Sequence, residues 1–277
     1  MEKLIKLSLA RLKKTLLRYF LVYVLGVLAT LAMFLVLGLV AGLFYGLFLL
    51  LGKNLILATI LIIVYVLIAI ISAIYLSSWL SLAQISTITS DEVKDLTDSF
   101  KKTRGLVWPY VGFFMLSCLF GLGIFYLNIL LFIPLFLWSI WGAFSIFAFL
   151  DNHRGGLTPL WYSKAKIKGH FWKVFLYYAV LYFALIILSS LVMQVDSQYS
   201  FVNSLLWFLF MPFMIGFSYE LYRSLPEPET VTKPKIWIGL AILGWLLYIV
   251  LLKQIPLGNW CNIVKHKIPA VNIQCRK

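Results

Sequence analysis

From Tyr19 to Gly52 the chain carries no charged residue, and from Leu55 to Thr89 it again carries none. A helix rises ~1.5 Å per residue, so each run is long enough to cross the ~30 Å hydrocarbon layer of a bilayer. The first run exceeds that thickness and must tilt, protrude or bend. Lys53 and Asn54 mark a tight turn between the two. The rest of the chain repeats the pattern. Residues of the AVILMFWYC set make up 62% of it and charged residues only 12%, whereas a soluble domain is nearer half apolar and a quarter charged. A polytopic membrane protein follows from composition alone. No cleavable signal peptide is expected, because the first apolar run far exceeds a signal h-region; the first span should remain as an anchor.

The formal charge of +14 does not gather on one soluble module. It punctuates the ends of apolar segments, as topology-determining charge does. The partner it implies is a lipid bilayer with an anionic cytoplasmic leaflet, and no nucleic acid is expected. Residues 1–18 read as a basic amphipathic surface helix, with Leu4, Ile5, Leu9, Leu12 and Leu16 on one side. Lys3, Lys6, Lys13, Lys14 and Arg18 occupy the other. The first span follows. Within it Gly38, Gly42 and Gly46 recur every four residues and form a bare stripe, suited to packing inside the protein or to a homo-oligomer contact.

The second span ends in a run of hydroxyl residues that can hydrogen-bond back along their own helix. Ser90 to Gly105 is the first aqueous loop. Its acids precede its bases, which suits a short helix capped by Ser90. Asp91, Glu92 and Asp95 lack the glycine turn and distal glutamate of an EF-hand loop, so they read as solvated charge. Further spans are expected over Leu106 to Asn128, Leu131 to Leu150 behind Pro134, His170 to Met193, and Phe201 to Tyr222 with a kink at Pro212. Cys118 lies mid-span as an apolar filler.

The expected fold class is therefore all-α: a polytopic transmembrane helix bundle with six core spans, a seventh, and an amphipathic N-terminal surface helix. Residues 1–225 form the six-span bundle and 226–235 a proline-rich linker. Residues 236–252 form the seventh transmembrane helix and 253–277 a basic tail with two cysteines. Assigning Lys and Arg to alternating sides puts the N-terminus in the cytoplasm and the C-terminus outside the cell membrane.

Catalysis inside a membrane needs buried ionisable groups, and the apolar segments are almost bare of them. Asp151, Asp196 and Glu220 stand at helix ends. His153, His170 and His266 are dispersed without ligand spacing, and no nucleotide, serine-hydrolase or cofactor motif is present. No enzyme, cofactor or metal site is expected. Glu220 reads either as an interfacial pair with Arg223 or as a site inside the bundle. Asp151 suits a pair with Arg154 or Lys168, or a cap on the following helix. The connector between the fourth and fifth spans is basic, with Trp161 and Trp172 at headgroup level and Gly169 turning the chain into the fifth span.

The succession IP…FAFLD, LTPLWYSKAKIKGHFWKVF and MPFMIGFSYELYRSL resembles the six-span membrane region of glycerophosphoryl diester phosphodiesterases. YciC-like and related stand-alone bacterial membrane proteins share that region. The resemblance covers residues 1 to about 225. Pro134, Asp151, Leu160, Ser163, Lys168, Gly169, Trp172, Leu221 and Tyr222 stand at matching places, while Leu135, Asn152 and Pro159 depart from the pattern. The resemblance implies an architecture but not the phosphodiesterase's metal-dependent hydrolysis, whose domain has no room here. The functional expectation is a non-enzymatic scaffold or partner in membrane organisation or homeostasis. A transporter or channel-like protein and a membrane anchor for a separate hydrolase are the alternatives.

With the C-terminus outside, Cys261 and Cys275 face an oxidising space and can pair, closing a loop of ~15 residues worth up to ~3 kcal/mol. Membrane-impermeant thiol labelling of intact cells checks this. Both cysteines are expected to react from outside after reduction; labelling only from the cytoplasm would mean that the seventh segment does not span.

Overall fold

The computed structural model describes residues 1–50, 55–90, 96–127, 133–151, 155–195, 200–233 and 235–254. Among them the chain is all-helical, as the apolar periodicity and the absence of strand patterning require. In order the helices are α1 (Glu2–Leu50), α2 (Leu55–Thr89), α3 (Leu96–Arg104), α4 (Val107–Leu127) and α5 (Ile133–Gly142). They continue with α6 (Ser145–Leu150), α7 (Thr158–Ile167), α8 (Phe171–Val195), α9 (Ser200–Ser224) and α10 (Lys235–Gln254). Five stretches among the described residues are long and apolar enough to cross a membrane: Glu2–Leu49, Thr59–Thr89, Val107–Leu127, Phe171–Val192 and Val202–Ser224. This suggests a multi-pass membrane protein. α10 is apolar but shorter, and the cysteine tail lies outside the described residues.

Two expectations are altered. The separate surface helix and first span are one continuous helix, α1. Its early turns bury Ser8, Thr15, Tyr19 and Val22, spaced three, four or seven apart, and α1 packs against α2 and α9. Leu9, placed on the apolar side from its wheel angle, is instead exposed. Small hydroxyl side chains set this face: Ser8 Oγ donates to the Leu4 carbonyl at 2.7 Å and Thr15 Oγ1 to the Arg11 carbonyl at 2.9 Å. Each satisfies itself on its own helix and leaves room for a neighbour.

The fourth span is also different, because it is broken. α5 ends at Gly142 and α6 begins at Ser145, so neither piece alone is long enough to cross. Breaking a helix frees carbonyls that must find other donors. Here the Trp141 carbonyl accepts from the Ser163 hydroxyl, and the Gly142 carbonyl accepts from Ser145 Oγ at 2.7 Å. α9, by contrast, runs through Pro212 without ending.

The chain divides into two units. Met1–Leu116 with Ile140–Thr232 forms the larger, and Ser117–Ser139 with Lys233–Lys277 the smaller. The core of the larger unit is aromatic: Phe144, Phe147, Phe217, Leu221 and Tyr222 pack with Val174 and Leu181 of α8. Tyr178 donates to Ser218 Oγ at 2.7 Å within it. The hydroxyls late in α2 seat α3. Thr87 and Ser99 share a hydrogen bond of 2.8 Å, both buried, and Trp79 Nε1 donates to the Phe100 carbonyl at 3.1 Å. Among the described residues, a side chain added at Gly38, Gly42 or Gly46 meets nothing within 4 Å, whereas one at Gly26 meets Leu80 of α2 at 3.2 Å.

The smaller unit is held by a glycine-mediated crossing of α4 and α10. A Cβ at Gly244 would overlap the Gly123 carbonyl, and one at Gly123 would overlap the Ala241 carbonyl. Trp245 Nε1 donates to the Leu119 carbonyl at 3.0 Å, and Tyr126 stacks on Tyr248 at 4.2 Å. Backbone cannot yield as a side chain can, so Gly244→Leu is expected to separate the two helices at the upper end of the ~1–3 kcal/mol cost of overpacking. Unfolding in detergent followed by tryptophan fluorescence checks this. An unchanged midpoint would refute the crossing.

Candidate functional site

The ionisable groups gather where α2, α6 and α9 end. Helix C-termini present unsatisfied carbonyls and a partial negative charge, so cations are favoured there. Arg11 of α1 uses this directly: Nη1 donates to the Ile88 carbonyl at 3.1 Å, one residue from the end of α2. Its Nε pairs with Glu220 Oε1 of α9 at 2.7 Å, both side chains being about seven-eighths buried, and its guanidinium lies over Tyr219 at 5.0 Å. Glu220 therefore pairs with Arg11 rather than with the anticipated Arg223. That residue instead lies over the Tyr219 ring at 5.8 Å.

The connector after α6 is more than a solvated basic loop. Gly156 and Gly169 adopt φ of +51° and +83°, the left-handed region that favours glycine, and they bracket α7. No atom would crowd a side chain at Gly169, so its requirement is conformational. Pro159 lies in the first turn of α7, where a missing N–H costs nothing. Most of α7 is then buried: Pro159, Leu160, Trp161, Tyr162, Ser163, Lys166 and Ile167, so Trp161, expected at headgroup level, is enclosed by the protein. Lys166, only 2% exposed, donates to Glu227 Oε1 at 2.7 Å and lies over the Tyr222 ring at 4.2 Å. Glu227 comes from the proline-rich segment after α9 and also accepts from the Tyr162 hydroxyl. Burial, and then the Glu227 carboxylate beside it, push the Tyr162 hydroxyl well above its ordinary pKa. Burial followed by the nearby Lys168 charge lowers Lys164, which sits over Trp141 at 4.3 Å.

Asp151 Oδ2 accepts from the Tyr222 hydroxyl at 2.8 Å. That is the partner the structure gives it, in place of Lys168, which is exposed at the end of α7; Arg154 lies outside the described residues. Asp151, Lys166, Tyr222, Arg223 and Glu227 line a cavity of about 650 Å³ together with Lys102. A smaller one of about 240 Å³ lies between α1 and the end of α2, lined by Arg11, Lys14, Arg18, Ser90 and Glu220 among others.

Of the residues singled out from sequence, Asp151, Ser163, Glu220 and Tyr222 come together within the larger unit. Lys168 and Trp172 are exposed, and Pro134 opens α5 as its second residue. Cys261 and Cys275 lie outside the described residues, as do Asp91, Glu92 and Asp95. No group of three or more metal-ligating side chains occurs among those described. Sequence reasoning missed Arg11, Tyr162, Lys166 and Glu227. Tyr162 and Lys166 are four apart on one helix, so they share a face, and that spacing was the available signal. Glu227 had none, standing in a segment read as linker. Comparisons with family models, with curated proteins and with solved structures returned no match.

The Lys166–Glu227 pair is asymmetric, with side chains 2% and 73% exposed. Removing the carboxylate strands a buried charge, whereas removing the lysine leaves a solvated acid. Glu227→Ala is expected to cost about 2 kcal/mol in detergent unfolding, and Lys166→Met close to nothing. The double variant should recover most of the Glu227→Ala loss. Equal losses in both single variants would refute the asymmetry.

Proposed function

We propose that the chain is a non-enzymatic, multi-pass protein of the cell membrane that works as a scaffold, holding a partner protein or a second copy of itself. In this reading the N-terminus is cytoplasmic and the C-terminus extracytoplasmic, with seven crossings of which the broken α5–α6 pair makes one. The observation that carries it is the use made of charge. Arg11 with Glu220, Lys166 with Glu227, and Tyr222 with Asp151 each spend a polar group on fixing one helix or segment to another at a single end of the bundle. A pathway for ions or protons needs ionisable groups at membrane depth; these lie at helix ends and are already engaged. The resemblance to phosphodiesterase membrane regions supports the same architecture.

One observation favours transport as a second reading. Discontinuous helices build binding sites in many transporters, and α5–α6 is discontinuous. The Ser163 and Ser145 hydroxyls, however, already take the carbonyls that the break exposes. Purification in mild detergent after in-cell crosslinking separates the readings. A scaffold is expected to bring a fixed stoichiometry of one protein or of itself. Repeated recovery of the bare monomer, with substrate flux in reconstituted vesicles, would overturn it in favour of transport.

A further inference from the structure

The segment that follows α9 stands off α7 and leaves a third cavity. Leu225 is buried and Glu227 is fixed by Lys166 at 2.7 Å, so the segment is pinned at its start. Beyond that point it is neither helix nor strand, and residues 229–232 are exposed. Pro226 and Pro228 lack the N–H with which an extended segment bonds to a neighbour. Between this segment, α7, the end of α5 and the start of α8 lies a cavity of about 390 Å³, within the ~300–1,000 Å³ typical of small-molecule sites.

Two of its walls carry opposite charges. Lys168, at the C-terminal end of α7, lines one, and Glu229 of the segment lines the other. Both are exposed, and neither side chain makes an ion pair or hydrogen bond among the described residues. They share one cavity without pairing across it. Trp141 and Phe171 add aromatic surface, and Trp141 already holds an ammonium, that of Lys164, over its ring at 4.3 Å. Burial and then the Lys168 charge lower Lys164, a repulsion that an anion placed beside Lys168 relieves.

This arrangement selects the ligand's chemistry. A lone anion meets Glu229 and a lone cation meets Lys168, each a like-charge contact, whereas a zwitterion satisfies both. A primary ammonium can donate hydrogen bonds to the carboxylate; a quaternary one has none to donate. α8 begins at Phe171, three residues after Lys168, so the cavity stands where an apolar span starts, at the level of lipid headgroups.

We propose that this cavity binds a phosphoethanolamine group, its phosphate at Lys168 and its ammonium at Glu229. The group has two sources, a phospholipid headgroup and the free soluble ester, and the position at the start of α8 favours the first. The proposal goes beyond the scaffold reading and does not depend on it.

The full chain in non-ionic detergent is unfolded by heat against four probes: short-chain phosphatidylethanolamine, phosphatidylcholine and phosphatidylglycerol, and free phosphoethanolamine. A ligand of the folded state raises the midpoint with concentration. Phosphatidylethanolamine is expected to raise it, with the other two lipids far less effective. A shift from this lipid alone assigns the headgroup; a matching shift from the free ester supports the same site with a soluble ligand. Lys168→Gln and Glu229→Gln should each weaken the apparent affinity about ten-fold, the size of one lost charge-assisted hydrogen bond. Glu229→Gln should also lessen the preference over phosphatidylglycerol, which has no ammonium to lose. Lys173→Gln, exposed and outside the cavity lining, should change nothing. The midpoint without ligand reports whether each variant is folded, and both Gln substitutions fall on exposed side chains. Equal shifts from all three lipids, no shift from any probe, or indifference to both Gln variants would each overturn the proposal.

Discussion

Arg11 is the side chain on which the arrangement of the larger unit depends. A guanidinium taken out of water needs an anion and hydrogen-bond acceptors around its fork, because an uncompensated buried charge costs several kcal/mol. Those partners come from two other helices: Glu220 on α9 and the Ile88 carbonyl near the end of α2. Only where α1, α2 and α9 meet are both within reach. The surrounding residues are small enough to permit it. Gly216 of α9 lies where a Cβ would meet Ile88 and the Ser8 carbonyl at 3.7 and 3.9 Å, ordinary contact distances. Ser8 and Thr15 flank Arg11 on the buried face of α1. An apolar residue at position 11 would pack, but would leave Glu220 largely buried with no cation.

The second constraint is backbone satisfaction. In a hydrocarbon setting an unmet carbonyl has no water to turn to, so a broken helix survives only where side chains stand in. Ser163 does this for Trp141 from α7, which ties the connector to the break that precedes it. α7 also carries Tyr162 and Lys166, and those hold the segment after α9 through Glu227. Two neighbouring features, the break in α5–α6 and the capture of residue 227, are thus consequences of one ten-residue helix.

Helix content was legible because it rests on local, unbroken runs. The absence of charge from Leu55 to Thr89 marks α2 at the same bounds in sequence and structure. The break at Ala143 was not legible, since Gly142 alone does not distinguish a tolerated helical glycine from a stop. The deciding group is a hydroxyl that arrives from residue 163. The site follows the same logic. Asp151 and Tyr222 drew attention by position, but their bond joins residues 71 apart, and no periodicity reports such a pairing. Lys166 was hidden among the similar lysines of YSKAKIKG, of which folding buries one and exposes Lys168. Arg11 did not stand out within the basic N-terminal segment, because a wheel shows a face and not the elements that come to cover it.

The pairing of Arg11 with Glu220 also has a timetable. The two residues are 209 apart in sequence. A ribosome adding ~5–20 residues per second needs roughly 10–40 s to pass from one to the other. Throughout that interval α1 exists without the carboxylate that later holds it, its arginine dependent on water or on lipid phosphates. The first helix made therefore waits for α9 before this lock can close. A nascent chain halted anywhere before α9 is complete leaves Arg11 with its α2 carbonyl but without its carboxylate.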